Sequence, residues 1–181
     1  MIGWGMSFLE KIPFIGTHIV ERFKMSANPW QDEYNKGLQL INSLYAFASG
    51  GWRGLGFGQS IQKMKYLSAA STDFILAITV EELGIFGFSV ILIGYSCIIF
   101  RLFRYALMSK HEGYKIIYIG TSLYIFIHFV VNAGGVTGLI PLTGVPLLFI
   151  SSGASSLVSI CCAIGICQAL ASKENLEREN V

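Results

Sequence analysis

The chain has 181 residues, of which 53% are hydrophobic and only 13% charged, against roughly 25% charged in an ordinary soluble domain. That composition, carried in long apolar runs, excludes a simple soluble fold. The net charge of +2 is too small to point to nucleic acid as a partner.

In chain order, residues 1–23 begin apolar but are interrupted by Glu10, Lys11 and Pro13. They lack the basic start and small-residue cleavage site of a signal peptide, and read as a remnant span or an interfacial segment. Residues 24–73 contain no run long enough to cross a bilayer and read as an extracellular loop with short helices. Asn28-Pro29 marks a turn, because the residue before proline is pushed out of the helical region. Over 38–48 apolar residues recur at Leu38, Ile41, Leu44, Tyr45 and Ala48, which is helical spacing; Gly50-Gly51 ends that helix.

GWRGLGFGQSIQKMK follows, with Gly54, Gly56 and Gly58 alternating among Arg53, Lys63 and Lys65. Such a loop either makes a tight turn against the membrane surface or points backbone N–H groups at a phosphate. It lacks the Gly-Lys-Ser/Thr ending of a P-loop. Ser71-Thr72-Asp73 comes next. These residue types cap helices, the leading reading from the residues alone; the alternative makes Asp73 a catalytic carboxylate at the outer surface.

Three runs meet the roughly 20 apolar residues a membrane helix needs: about 74–103, 116–133 and 145–171. Their apolar residues are continuous rather than alternating, so they read as helices and not barrel strands. The fold class is therefore all-α, a polytopic membrane bundle of three spans (74–171) after the external segment, with residues 172–181 as a tail. Arg101, Arg104, Lys110 and Lys115 flank the first connection, with Glu112 its only acid. The positive-inside rule puts that connection and the tail in the cytoplasm and Asp73 outside. Cys97, Cys161, Cys162 and Cys167 lie within spans without zinc-ligand spacing and read as small packing residues.

Polar residues inside the spans are the informative ones, since each is costly in lipid. Glu81 and Glu82 lie roughly 12 Å deeper than Asp73. On a continuous helix Glu81 stands about 80° from Asp73 and Glu82 on the opposite face; both cavity sharing and structural pairing are open to them. His128 and Asn132 share a helix face one turn apart, for a proton path or an interhelical hydrogen bond. The run Ser151-Ser152-Gly153-Ala154-Ser155-Ser156 allows close helix approach or lines a polar groove.

The motifs NPWQDEYNKGLQL, SLYAFASGGWRGLGFGQSIQK, KYLSAASTDFILAITVEELGIFG and NAGGVTGLIPLTGVPLLFISSGASSL, in that order and spacing, resemble the C-terminal part of the FtsW/RodA/SpoVE family. The resemblance spans about residues 20–170. It implies a peptidoglycan glycosyltransferase that polymerises lipid II on the outer face of the bacterial plasma membrane. It implies Asp73 as the essential acid and Gln62, Lys63, Glu81, Ser151, Ser155 and Ser156 as substrate-binding positions. Undecaprenyl-pyrophosphate-linked glycan, membrane lipid and a class B penicillin-binding protein, a transpeptidase, are the implied partners. No organic cofactor is expected; a divalent cation on Asp73 is an option. This chain has Ser71 where family members usually have His. It also has fewer spans than the family, so it is expected to be a fragment, inactive alone. A lipid II flippase and a noncatalytic scaffold for the transpeptidase are the competing functions.

Overall fold

A computed structural model of the chain describes residues 22, 26, 28–32, 37–65 and 72–179. The remnant span expected over 1–23 lies outside the described residues except for Arg22, and Ser71 also lies outside them. A 3-10 turn, Pro29–Asp32, precedes five α-helices: α1 (Leu38–Gly50), α2 (Ile61–Lys65), α3 (Ile75–Met108), α4 (Glu112–Val136) and α5 (Ala154–Glu179). No strand occurs among the described residues. The all-helical expectation is met.

At 1.5 Å per residue, α3 from residue 85 onward, α4 and α5 are roughly 36, 38 and 39 Å long, enough to cross a hydrocarbon layer of ~30 Å. All three are apolar enough to do so. Their outward faces carry Phe86, Ile93, Phe100, Ile116, Ile127, Val158 and Ile166, all exposed, as suits a surface solvated by lipid chains rather than water. Their inward faces form one core of Leu76, Ile78, Tyr95, Leu102, Tyr118, Ile125, Phe129, Ile160 and Cys167.

The helices run alternately, so each end of the bundle collects particular segments. At one end the turn between α3 and α4 is fastened to α5. Glu174, buried, accepts hydrogen bonds from the Ser109 hydroxyl at 2.5 Å and the Lys110 N–H at 3.2 Å. At the other end lie Asp73, the end of α4, residues 137–153 and the start of α5.

The first span is not the continuous helix its apolar run implies. Gly84 breaks α3 with φ 65° and ψ −158°, a conformation open essentially to glycine alone. Straight, α3 would hold Asp73 roughly 33 Å from Tyr95. Instead the Asp73 carbonyl is bonded to Asn132 at 2.9 Å, while the Tyr95 ring lies 4.8 Å from that of Phe129, one turn away on the same helix. A straight helix cannot reach both. The bend folds the start of the first span back toward α4.

The third span also departs from expectation. Its helix begins at Ala154, and residues 145–153 are non-helical. Pro146 has no N–H and drives Val145 out of the helical region, Gly144 has φ 71°, and Phe149 has φ 68°. Its middle lies inside the bundle: Leu147 and Leu148 are buried, and the Tyr95 hydroxyl donates to the Leu148 carbonyl. Non-helical backbone at such depth is tolerated only where protein supplies its hydrogen bonds. Beyond Ala171 the helix continues to Glu179.

Candidate functional site

Asp73 lies in the turn just before α3, half-buried. The helical ladder of α3 starts one residue later, with the Ile78 N–H on the Phe74 carbonyl, so the Asp73 carbonyl has no donor from its own helix. Asn132 of α4 supplies one at 2.9 Å, and the same amide nitrogen donates to the Val145 carbonyl at 2.8 Å. The 137–153 connection is thereby drawn against Asp73. A Cβ placed on Gly144 would stand 3.5 Å from the Asp73 Oδ2. Among the described residues the Asp73 carboxylate has no hydrogen-bond or ion-pair partner. An acid held by its backbone with its side chain uncommitted is open to act on something else.

Glu81 is fully committed. It is buried, its Oε2 accepts from the Ser60 hydroxyl at 2.5 Å, and its Oε1 lies 3.2 Å from the Ile61 N–H and 3.5 Å from the Ser49 hydroxyl. Ser60 in turn accepts from the Lys63 N–H at 3.1 Å, the bond of a helix N-cap. Glu81 thus fastens α1 and α2 to α3 by structural pairing. Glu82, also buried, faces Lys63, with Nζ 3.9 Å from Oε1. That Oε1 and the Gln62 Oε1 are buried without a hydrogen-bond partner in the described structure.

The glycine-rich loop spends its backbone on the broken span. The break frees the Glu81 and Glu82 carbonyls from the helical ladder, and the Leu55 and Gly56 N–H groups bond them, each at 2.9 Å. The Ile85 N–H goes to the Gly51 carbonyl at 3.0 Å, and the Gly54 N–H to Gly50 at 2.7 Å. The Gly54, Leu55 and Gly56 N–H groups are therefore not free to cradle a phosphate, the last two because they complete α3. Trp52 and Phe57 stay 81% and 87% exposed, so the contact is backbone on backbone.

The serine run divides. Ser151 is buried, with its N–H on the Leu147 carbonyl; its hydroxyl and that of Ser156 flank Gly153, 3.4 Å and 2.8 Å from where a Cβ would be. Ser155 is exposed. His128 does not meet Asn132; its ring packs 4.3 Å from that of Tyr124, and its Nδ1 is buried with no partner in the described structure. All four cysteines are free. No cluster of three or more His, Cys, Asp or Glu suited to a metal occurs among the described residues. A lone carboxylate such as Asp73 suits a magnesium-like ion only together with substrate phosphate oxygens. Asn132 and Gly144 belong to the Asp73 site, yet sequence reading assigned neither to it. The available signals were an amide inside a span and a glycine just before Val145-Pro146.

These features define a multi-pass α-helical membrane protein with a polar site at one end of the bundle. The family model described as "Cell cycle protein", which covers FtsW, RodA and SpoVE, matches residues 2–176, and the chain belongs to that family. It is 40% identical over 162 residues to stage V sporulation protein E of Bacillus subtilis, covering 90% of this chain and 44% of that one. It is 46% identical over 147 residues to the probable peptidoglycan glycosyltransferase FtsW of the same organism, covering 80% and 36%. The protein of that name from Enterococcus hirae is 36% identical over 173 residues, covering 94% and 44%. The chain thus spans less than half the length of these relatives. A solved structure, "Structural coordination of polymerization and crosslinking by a peptidoglycan synthase complex", contains a chain of the same fold. Its TM-score is 0.64 at 23% identity, covering 90% of this chain and 46% of that one.

Proposed function

We propose that this chain is the C-terminal part of a peptidoglycan glycosyltransferase that polymerises lipid II on the outer face of the bacterial membrane, with Asp73 as the acting carboxylate. The observation that carries the reading is the half-buried Asp73 side chain, uncommitted among the described residues while its backbone is tied to α4. The names of the FtsW relatives support the reaction class.

In this reading Asp73 takes the proton from the sugar hydroxyl of the incoming lipid II as that oxygen attacks the anomeric carbon of the growing glycan. The bond to undecaprenyl pyrophosphate breaks, and the pyrophosphate leaves with the electron pair. A single base suffices for such a displacement with inversion, because the leaving group needs little protonation. It does need positive charge, and Lys63, whose exposed ammonium is only loosely paired with Glu82, is the group proposed to meet it. Gln62, Ser151, Ser155 and Ser156 are proposed to contact substrate. A divalent cation, if used, would be held by Asp73 and would supply further charge for the pyrophosphate. The external placement of Asp73 follows from the basic first connection. A class B penicillin-binding protein is the proposed partner, supported by the synthase-complex neighbour.

The test is to reconstitute the full-length protein in vesicles with lipid II and its transpeptidase. Glycan polymer on a gel is expected. Lipid II movement across the bilayer without polymer would favour a flippase, and co-purification with neither activity a scaffold; either result overturns the proposal.

A further inference from the structure

We propose that Asn132 is the positioning residue of the site, setting where the Asp73 carboxylate stands relative to the 144–146 turn. The proposal rests on Asp73 being the acting carboxylate. Both N–H bonds of the Asn132 amide are used, one on the Asp73 carbonyl at 2.9 Å and one on the Val145 carbonyl at 2.8 Å. These carbonyls belong to two non-helical segments that are far apart in sequence. The Asp73 carbonyl lies one residue outside the α3 ladder, and the Val145 carbonyl precedes a proline that cannot continue a helix.

A side chain that merely satisfied one stray carbonyl would not couple the segments. This one does, from a residue only 4% exposed on a continuous helix. The Gly144 Cα therefore faces the carboxylate, with an added Cβ 3.5 Å from Oδ2. Losing the amide donors frees both segments to move apart by an ångström or more. Displacements of that size can cost about a hundredfold in rate while binding elsewhere is kept.

The experiment compares wild type, Asn132→Leu and Asn132→Asp in the full-length protein with lipid II as substrate. The rate is normalised to the monodisperse, folded fraction. Asn132→Asp keeps the side chain's size and has at most one hydrogen to donate, so it cannot hold both carbonyls; it serves where Asn132→Leu fails to fold. The expected result is a kcat per folded molecule lower by about a hundredfold with KM for lipid II little changed, the signature of a lost transition-state geometry. A purely structural role would lower the folded amount and leave kcat per folded molecule at the wild-type value, and that result overturns the proposal. So does a raised KM at unchanged kcat. Asp73→Asn in parallel separates the two failures. An inactive Asp73→Asn beside a fully active Asn132→Asp overturns positioning alone. An active Asp73→Asn removes the reading of the carboxylate on which positioning rests.

Discussion

Gly54 and Gly84 meet backbone to backbone. A Cβ on Gly84 would stand 2.6 Å from the Gly54 nitrogen, and a Cβ on Gly54 would stand 2.1 Å from the Glu82 carbonyl oxygen. Side chains essentially never approach so closely, so the bend of α3 and the turn that completes its hydrogen bonds depend on both glycines at once.

Gly84→Ala and Gly54→Ala are accordingly expected to destabilise the protein, and not only through contact. Each glycine has positive φ, 65° and 74°, which alone costs about 1–3 kcal/mol for another residue. Thermal unfolding of the purified protein in detergent checks this. Gly94 is the control: its Cβ would meet nothing within 4 Å, so Gly94→Ala should leave the melting temperature close to wild type.

Glu81 tests whether a buried acid of this family is scaffold or substrate contact. Glu81→Ala leaves the Ser60 hydroxyl and the Ile61 N–H without their acceptor, at a cost of about 1–3 kcal/mol. Glu81→Gln keeps one acceptor oxygen and should lose less. Polymerisation per folded molecule should stay near wild type in Glu81→Gln. A dead but fully stable Glu81→Gln would make Glu81 a substrate contact instead.

Tyr95→Phe removes the donor to the Leu148 carbonyl and keeps the ring packing against Phe129 and Phe149. Hydrogen bonds between membrane helices are worth about 0.6–1.7 kcal/mol, so a small drop in stability is expected. Hydrogen exchange should reveal it locally, as faster exchange in the 147–153 segment with α4 unchanged.

At the opposite end, Glu174→Ala should loosen the turn between α3 and α4 by removing the acceptor for Ser109 and Lys110, again at about 1–3 kcal/mol. Polymerisation per folded molecule should not change, because Glu174 lies at the far end of the bundle from Asp73. Limited proteolysis near residues 109–111 reads the loosening directly.

The three spans are legible in the sequence because length and continuous apolarity are what a bilayer demands of a helix. Where those helices break is less legible. Gly84 sits in an apolar run as an ordinary tolerated glycine, and only the carbonyls it frees, bonded by Leu55 and Gly56 far upstream, reveal the bend. Leu147 and Leu148 are apolar because they are buried inside the bundle, and hydropathy cannot distinguish that from burial in lipid. Gly144 and Pro146 carried the warning. Asp73 was visible as a candidate, but its tie to Asn132 joins backbone carbonyls to a side chain, and no residue pattern records which carbonyl an amide will find. Nor did spacing on an ideal helix say that Glu81 would turn to Ser60.

Whether the Asp73 carboxylate does the chemistry is decided by lipid II polymerisation in the full-length Asp73→Asn protein. The substitution keeps size and shape and removes the base. Normal folding and insertion are expected, with glycan polymer reduced at least about a hundredfold, within the range that general-base catalysis contributes. Polymer made at the wild-type rate would contradict that role of Asp73.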